Sequence, residues 1–292
     1  MAKKTRYAEY KDSFANIAFE LSEDGILLLR FHTEGGSLQW NAVSHDEVAD
    51  AFLEVAGDRD IRLVIHTGTG DNYNADWAIL AKKAAESAAT AAPAVEPGWA
   101  PPLEWHNELG WYGQQMLLNL LDIEVPMIAA VNGPCTMHSE IPLMCDVVLA
   151  SETASFQDGP HFRRGMVPGD GQHIIWPMLL GPVRARYFLL TGQTIDAQQA
   201  LEWGVVNEVL PADKLLDRAW ELGREIAKRP PMATRFTRRL FTQDLKRACL
   251  DELSHGITMG VFASRQFYPV GGGMDGMIRA WDDPDPMGFH GS

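Results

Sequence analysis

Short apolar runs separated by polar turns fill the first half of the chain, and longer amphipathic segments follow. Runs of this length, bounded by Gly, Asn and Asp, are typical of strands. The predicted strands cover residues 17–21, 26–32, 61–67, 126–131 and 146–150. Ser44 and Glu47 have the spacing of a capping box and predict a helix over residues 44–56. Strands that alternate with helices at this spacing favour an α/β layered fold.

From about residue 169 the apolar positions follow the helical period. The predicted helices cover residues 171–180, 182–191, 196–203, 212–229 and 232–248, with a further apolar stretch to about residue 267. We expect a core over residues 16–195 and a helical region over 196–268 that docks on the core or on a neighbouring subunit. The Gly- and Pro-rich residues 269–292 predict an irregular arm. Residues 84–103 are rich in Ala and Pro, which is typical of a lid or a disordered insertion.

The composition excludes several classes of protein. The chain has 292 residues, 46% of them apolar, which is enough for a hydrophobic core. Its 25 basic and 39 acidic residues give a net charge of −14, which repels the phosphates of nucleic acids. No apolar run approaches the ~20 residues that span a bilayer, and the charged start is unlike a signal peptide. The three cysteines are too few for a disulfide framework, so we expect reduced thiols and a cytoplasmic protein. From the charge and the lack of a long apolar run, we expect the partner to be a small molecule, neither nucleic acid nor membrane.

Three landmarks occur in a fixed order along the chain. They are Thr67 to Gly70 after a strand, Ile128 to Gly133 followed by a short helix-like stretch to Asp146, and Phe156 followed by Val167 to Gly171. In this order and spacing they resemble the crotonase (enoyl-CoA hydratase/isomerase) superfamily over residues 17–268. The resemblance implies a crotonase-type spiral of ββα units whose C-terminal helices mediate homotrimers or dimers of trimers. It also implies a pair of backbone N–H groups that binds an oxyanion.

The chain departs from the branch of this superfamily that acts on CoA esters. His161 stands where that branch has its second catalytic glutamate, whereas Glu140 matches the first. Six segments instead resemble the β-diketone hydrolases, the group of 6-oxocamphor hydrolase; they are residues 32–35, 37–40, 45–47, 123–126, 138–142 and 156–162. That resemblance implies retro-Claisen cleavage of a C–C bond in a cyclic, apolar β-diketone, without a cofactor or a metal.

The same resemblance implies catalytic roles. His138 would activate water, since the pKa of imidazole lies near working pH, and Asp146 would orient it. A continuous helix would separate these two residues by ~12 Å, so the chain has to bend between them. Glu140 would position water or accept a proton, although on such a helix it points away from His138, two residues being about 200° of rotation. Backbone N–H groups near Trp77 and Met137 would hold the oxyanion. The structural alternatives are a satisfied histidine and, for Asp146, a polar strand start.

Other residues would shape the pocket. Trp40 would pack on the substrate and donate its indole N–H to a ketone, unless it is an ordinary core residue. Gln115 falls where 6-oxocamphor hydrolase has a second pocket histidine; glutamine donates a hydrogen bond but transfers no proton at neutral pH. A shift of register would give that role to His106. His161 would line the pocket or hold its loop, and His45, in the capping-box turn, is interpreted as structural.

Two other functions stay open on the sequence. The first is a CoA-ester hydratase, isomerase or lyase that uses Glu140, which predicts binding of CoA or an acyl-CoA. The second is a non-catalytic trimeric binding module on the same scaffold, which predicts tight binding of a small molecule without turnover. His138 beside a helix start counts against the second.

Overall fold

The computed structural model describes residues 4–74, 103–162 and 166–267, and of residues 42, 103–106, 109 and 264–267 it describes the backbone alone. The insertion expected over residues 84–103, save its last residue, and the arm expected over 269–292 lie outside the described residues.

Strands and helices alternate through the described part of the chain. The strands are β1 (Ile17–Leu21), β2 (Ile26–Phe31), β3 (Leu63–Thr67), β4 (Met127–Val131), β5 (Val147–Ser151), β6 (Ser155–Phe156), β7 (Ile195–Asp196) and β8 (Glu208–Leu210). The helices are α1 (Tyr7–Tyr10), α2 (Ala42–Gly57), α3 (Leu103–Asp122), α4 (Glu140–Leu143), α5 (Gln172–Leu180), α6 (Pro182–Thr191), α7 (Ala197–Glu202), α8 (Ala212–Ala227), α9 (Pro231–Phe241) and α10 (Gln243–Phe267).

Six strands form one sheet in the order β1-β2-β3-β4-β5-β8. β1 pairs antiparallel with β2, and every other neighbouring pair is parallel. Strands β3 and β4 are buried along their whole length, as parallel strands covered on both faces are. β6 and β7 form a separate antiparallel pair. The predicted α/β class with a C-terminal helical region is confirmed.

The sheet separates two hydrophobic cores. On one face, Ile26 and Leu28 of β2 pack with Leu215 and Ala219 of α8. On the other, Leu29 belongs to a larger core that includes side chains of α2, α3 and α5. The C-terminal helices thus dock on the core, one of the two expected places. Among the described residues, no helix combines the length and the apolar character that a membrane span requires.

Two of the differences from the predicted helices concern the start of α2 and the division between α9 and α10. α2 begins before residue 44 because Asn41 is its N-cap: Asn41 Oδ1 accepts from the backbone N–H of Ser44 at 3.0 Å, and Ser44 Oγ accepts from the backbone N–H of Asn41 at 2.9 Å. The single helix expected over 232–248 is two helices, α9 and α10, which meet at Thr242.

The loops that follow β3 and β4 pack backbone against backbone. Within the loop after β3, a Cβ at Gly68 would lie 2.0 Å from the carbonyl oxygen of Tyr73. Between the two loops, a Cβ at Gly133 would lie 1.9 Å from the carbonyl oxygen of Asp71. Only glycine allows such close approach. The side chain of Asn132 also joins the loops, because its Oδ1 accepts from the backbone N–H of Gly68 at 3.1 Å. These contacts therefore fix the position of the two loops relative to each other.

Candidate active site

A connected group of polar side chains lies where the loop after β4 meets the starts of three helices. His138 is in that loop, and His45 is in the first turn of α2. Glu140 and Gln172 are the first residues of α4 and α5, and both are fully buried. These four residues are called the His138 cluster below.

The backbone turns sharply at His138. Its φ of 46° lies in the left-handed region, which non-glycine residues rarely adopt. Asn74 holds this turn, because its Nδ2 donates to the carbonyl oxygens of Met137 at 2.5 Å and of His138 at 3.3 Å. The turn brings His138 Nδ1 to 2.6 Å from Glu140 Oε1. The expectation that Glu140 points away from His138 is wrong because α4 begins only at Glu140, so no continuous helix carries both.

The second oxygen of Glu140 is held by Gln172. Gln172 Nε2 donates to Glu140 Oε2 at 2.5 Å. Gln172 Oε1 accepts from the indole N–H of Trp176 at 2.7 Å and from Ser139 Oγ at 3.0 Å. The carboxyl group of Glu140 is therefore fixed at both oxygens.

Two aromatic side chains from the start of α2 flank His138. Its Nε2 lies 3.1 Å from His45 Nε2, so one of these nitrogens donates and the other accepts. The ring of Trp40 lies 4.4 Å from that of His138, centroid to centroid. Trp40 Nε1 and His45 Nδ1 are buried and have no hydrogen-bond partner among the described residues. Both atoms are therefore available for a hydrogen bond with a ligand.

A second histidine lies between two carboxylates. His161 Nδ1 is 2.5 Å from Asp158 Oδ1, and His161 Nε2 is 3.3 Å from Asp170 Oδ2. The same oxygen of Asp170 is 3.9 Å from His138 Nδ1, so Asp170 joins the two groups. Asp170 Oδ1 is buried without a partner among the described residues. Asp158, His161 and Asp170 are called the His161 cluster.

The two clusters differ in electrostatics. Burial lowers the pKa of His138 to about 4 and that of His45 to about 3, so both imidazoles are neutral at neutral pH. Burial also raises the pKa of Glu140 well above that of an ordinary carboxyl group. For His161 burial acts in the same direction as for His138, but the charges of Asp158 and Asp170 outweigh it and raise its pKa well above 6.5. His161 is therefore an imidazolium.

Asp146 is not the partner of His138, contrary to the expectation. Its Oδ2 accepts from the backbone N–H of Met127 at 2.7 Å and pairs with the buried guanidinium of Arg238. Arg238 in turn donates to the carbonyl oxygen of Ile123 at 2.7 Å. Asp146 therefore joins α9 to the sheet, and the carboxyl group that contacts His138 is Glu140.

The other predicted pocket residues have mixed outcomes. Met137 is buried, and its backbone N–H forms no hydrogen bond with the described residues. Gln115 is half-buried on α3, and its side chain forms no hydrogen bond with the other described residues. Trp77 and the side chain of His106 lie outside the described residues.

Sequence reasoning missed four residues of the two clusters: His45, Asp158, Asp170 and Gln172. His45 was interpreted as structural, yet it contacts His138. Its signal was its closeness to Trp40, since both flank the N-cap of α2. The signal for Asp170 was its place in the landmark that ends at Gly171.

Ligand atoms of His138, Glu140 and Asp170 lie within 4.8 Å of one another, close enough to raise the question of a metal ion. The 2.6 Å between His138 Nδ1 and Glu140 Oε1 is a hydrogen-bond distance. Two such ligands of one Zn²⁺ at 2.0–2.1 Å stand about 3.3 Å apart. The three residues therefore fit a hydrogen-bonded cluster better than a metal site.

Comparisons with known proteins agree with this fold. Residues 104–263 match the family model for enoyl-CoA hydratase/isomerase. Carnitinyl-CoA dehydratase of Citrobacter koseri is 33% identical over 189 residues, which are 64% of this chain and 66%, slightly under two thirds, of that protein. The same enzyme of Proteus mirabilis is 33% identical over 195 residues, 66% of this chain and 68% of that protein.

Solved structures extend the similarity over most of the chain. A β-diketone hydrolase from the cyanobacterium Anabaena sp. PCC 7120, bound to (S)-3-oxocyclohexyl acetic acid, is 42% identical with a TM-score of 0.77; the match covers 88% of this chain and 97% of that one. An enoyl-CoA hydratase/isomerase from Mycobacterium paratuberculosis has a TM-score of 0.73 at 23% identity and covers 92% of this chain and 98% of that one. At that identity, the second similarity concerns the fold alone.

Proposed function

The chain belongs to the enoyl-CoA hydratase/isomerase family, and within this family we propose that it is a hydrolase that cleaves a C–C bond of a cyclic, apolar β-diketone by a retro-Claisen reaction. The products are a carboxylic acid and a ketone, joined in one keto acid when the substrate is cyclic. The similarity to the Anabaena β-diketone hydrolase supports this choice of substrate class.

The observation that carries the proposal is the neutral His138, which lies between His45 and Glu140. When Nδ1 of His138 carries a proton, its Nε2 accepts from His45 Nε2–H, and the lone pair of His45 Nδ1 remains for water. Water then gives a proton to His45 Nδ1 while the Nε2 proton of His45 passes to His138. The hydroxide adds to one carbonyl carbon, and general base catalysis of this kind contributes about 10²–10⁴-fold.

The oxyanion collapses by breaking the bond between this carbon and the central carbon of the diketone. The electron pair passes to the second carbonyl as an enolate, and the two histidines return the proton to the central carbon. Trp40 Nε1–H is a donor only and suits the oxygen of one ketone. The imidazolium of His161 and the backbone N–H of Met137 supply stabilisation for the developing negative charge.

The similarity to carnitinyl-CoA dehydratases favours a second candidate, a CoA-ester enzyme that uses Glu140. In that reaction Glu140 would contact the substrate directly. Both of its oxygens, however, are engaged by His138 and Gln172, which speaks for the diketone reaction.

The deciding experiment is a parallel assay without added metal. Mono- and bicyclic 1,3-diketones are followed by loss of their enolate absorbance and by keto-acid formation, and crotonyl-CoA and carnitinyl-CoA are tested beside them. We expect turnover of a diketone and none of the CoA esters. Turnover of a CoA ester with inert diketones would replace the proposal with the second candidate. Tight binding of a diketone without turnover would favour a binding module.

We also propose that the chain forms homotrimers through its C-terminal helices. The large apolar side chains of Leu240 and Phe241 on α9 are exposed in the single chain, which is typical of surfaces that a neighbour covers. Sedimentation should give three times the mass of one chain, 32.4 kDa, or six times for a dimer of trimers. A monomer at every concentration would contradict the assembly.

A further inference from the structure

The hydrogen bonds around Gln172 determine which way its amide points. The indole N–H of Trp176 has no acceptor atom, so the atom of Gln172 that lies 2.7 Å from it has to be Oε1. Ser139 Oγ–H donates to the same oxygen at 3.0 Å. The amide nitrogen therefore faces Glu140, and Glu140 Oε2 can only accept.

This orientation confines the proton of Glu140. A proton on its carboxyl group has no place at Oε2, so it lies at Oε1, on the line to His138 Nδ1. Glu140 and His138 thus share one proton along this line. When His138 loses the proton on its Nε2, the shared proton lies on Nδ1 and Glu140 is ionised. The lone pair of Nε2 then accepts the hydrogen bond from His45 Nε2–H.

We propose that Glu140 and Gln172 are positioning residues that fix the tautomer of His138, so that Nδ1 carries the proton and Nε2 is the basic nitrogen. The part of this inference that concerns catalysis rests on the proposed function; the tautomer itself does not. A carboxylate that orients a histidine in this way prevents the wrong tautomer, in which the basic nitrogen is blocked.

Other titratable groups surround the pair and act on the same equilibrium. They are His45 on α2, Asp170 before α5, Asp158 and His161 after β6, and Cys135 after β4. Burial raises the pKa of Glu140, so the one-proton form of the pair is reached at a higher pH than for a free carboxyl group. Activity should therefore rise with pH as this form is populated.

Substitution Glu140→Gln tests the inference because Gln172 determines which way the new amide group points. Gln172 Nε2–H requires an acceptor, so the amide oxygen of the new residue takes the place of Oε2. Its NH₂ group then donates to His138 Nδ1 and forces the proton to Nε2. We expect kcat/KM for a diketone to fall by about 10³–10⁴, the size of effect that a wrong tautomer has in a catalytic triad.

The matched control exchanges the two side chains, as Glu140→Gln with Gln172→Glu. The carboxylate then at position 172 has only acceptors, so the amide then at position 140 turns its NH₂ group toward that carboxylate and its oxygen toward His138 Nδ1. This restores the original tautomer. We expect the double variant to be at least about tenfold more active than Glu140→Gln alone, a recovery that a merely structural role of Glu140 does not predict.

Nitrogen-15 NMR of histidine-labelled protein reads the tautomer without any substrate, with His138 assigned from the spectrum of His138→Gln. In the wild-type protein we expect the Nδ1–H form at the upper end of the pH range in which it stays folded, the Nε2–H form in Glu140→Gln and the Nδ1–H form in the exchange variant. An Nε2–H form throughout the wild-type titration, or an unchanged tautomer in Glu140→Gln, would overturn the inference. If no diketone is cleaved, the proposed function fails while these spectra still decide the tautomer.

Discussion

The His138 cluster and the His161 cluster each bury an imidazole beside carboxyl groups, yet the pKa of His138 falls to about 4 whereas that of His161 rises. His161 lies between two carboxylates, at 2.5 and 3.3 Å. His138 contacts Glu140, whose own pKa burial raises, and is 3.9 Å from Asp170. A buried histidine therefore becomes a cation only where the charges of neighbouring carboxylates outweigh the effect of its burial. In one small volume the fold thus keeps one histidine as a base and the other as a positive charge.

The largest effect should come from removing the neutral histidine. His138→Gln deletes the proton acceptor, and we expect kcat/KM for a diketone to fall by about 10⁴ or more, as when a histidine is removed from a catalytic triad. The control is His255→Gln, because His255 is exposed on α10. The assay is enolate loss, with thermal unfolding to check the fold. Activity within tenfold of wild type would remove His138 from the mechanism.

Removing the charged histidine should have a smaller effect. His161→Gln keeps a hydrogen-bond donor but deletes the positive charge, and loss of one such stabilising group costs about 10²–10³ in kcat. If His161→Gln were as inactive as His138→Gln, with KM unchanged, the roles of base and fixed charge would have to be exchanged between the two clusters. Measuring kcat and KM separately for both variants decides this.

Asp146 extends the comparison to a partly exposed carboxylate that has a buried guanidinium partner. Asp146→Asn leaves the buried charge of Arg238 without its counter-ion. Because the side chain of Asp146 is 18% exposed, we expect a loss of unfolding free energy below the about 3–5 kcal/mol that breaking a fully buried pair costs. Urea unfolding measures this loss. We expect the folded variant to keep its kcat, because Asp146 does not contact His138 in the structure. A loss of kcat with unchanged stability would restore Asp146 to the site.

The carboxyl groups of Glu140 and Asp146 show how much of the site could be predicted from the sequence. The motif order located the loop with His138 and Glu140, and the resemblance indicated Trp40. The resemblance also implied the wrong carboxyl group, Asp146, and helical periodicity turned Glu140 away from His138. A single backbone angle at His138 ends the period that this argument assumed. Local sequence carries little information about such a turn. It depends on Asn74, which reaches the loop from a distant part of the chain.

Contacts between distant segments account for the other misses. His45 and His138 are 93 residues apart, and periodicity within either segment says nothing about their distance. Trp40 was assigned to the pocket, but its neighbour His45 was explained by the cap of α2. That cap in fact uses Asn41 and Ser44, which leaves the ring of His45 free to face His138.

The smallest effect concerns His66, a third histidine with a depressed pKa that lies outside both clusters. His66 is fully buried on β3, its Nδ1 contacts Tyr73 Oη, and burial lowers its pKa to about 3. Between its folded pKa of about 3 and its unfolded pKa of about 6.5, only the unfolded chain binds a proton at this residue. The unfolding free energy therefore falls as pH drops from about 6.5 toward 3, by up to about 1.4 kcal/mol per pH unit for this residue.

His45 and His138 add losses of the same sign, whereas His161, with its raised pKa, is protonated in both states below about pH 6.5 and adds none. Replacing His66 by Leu and Tyr73 by Phe removes both hydrogen-bonding partners together, and we expect the slope of the unfolding free energy between pH 6 and 5 to fall by about 1 kcal/mol per unit. Tyr73→Phe alone is the control and should keep the wild-type slope. Urea unfolding at a series of pH values measures both. An unchanged slope in the double variant would mean that His66 is protonated in the folded protein, and that burial without a nearby carboxylate is not sufficient to keep a histidine neutral here.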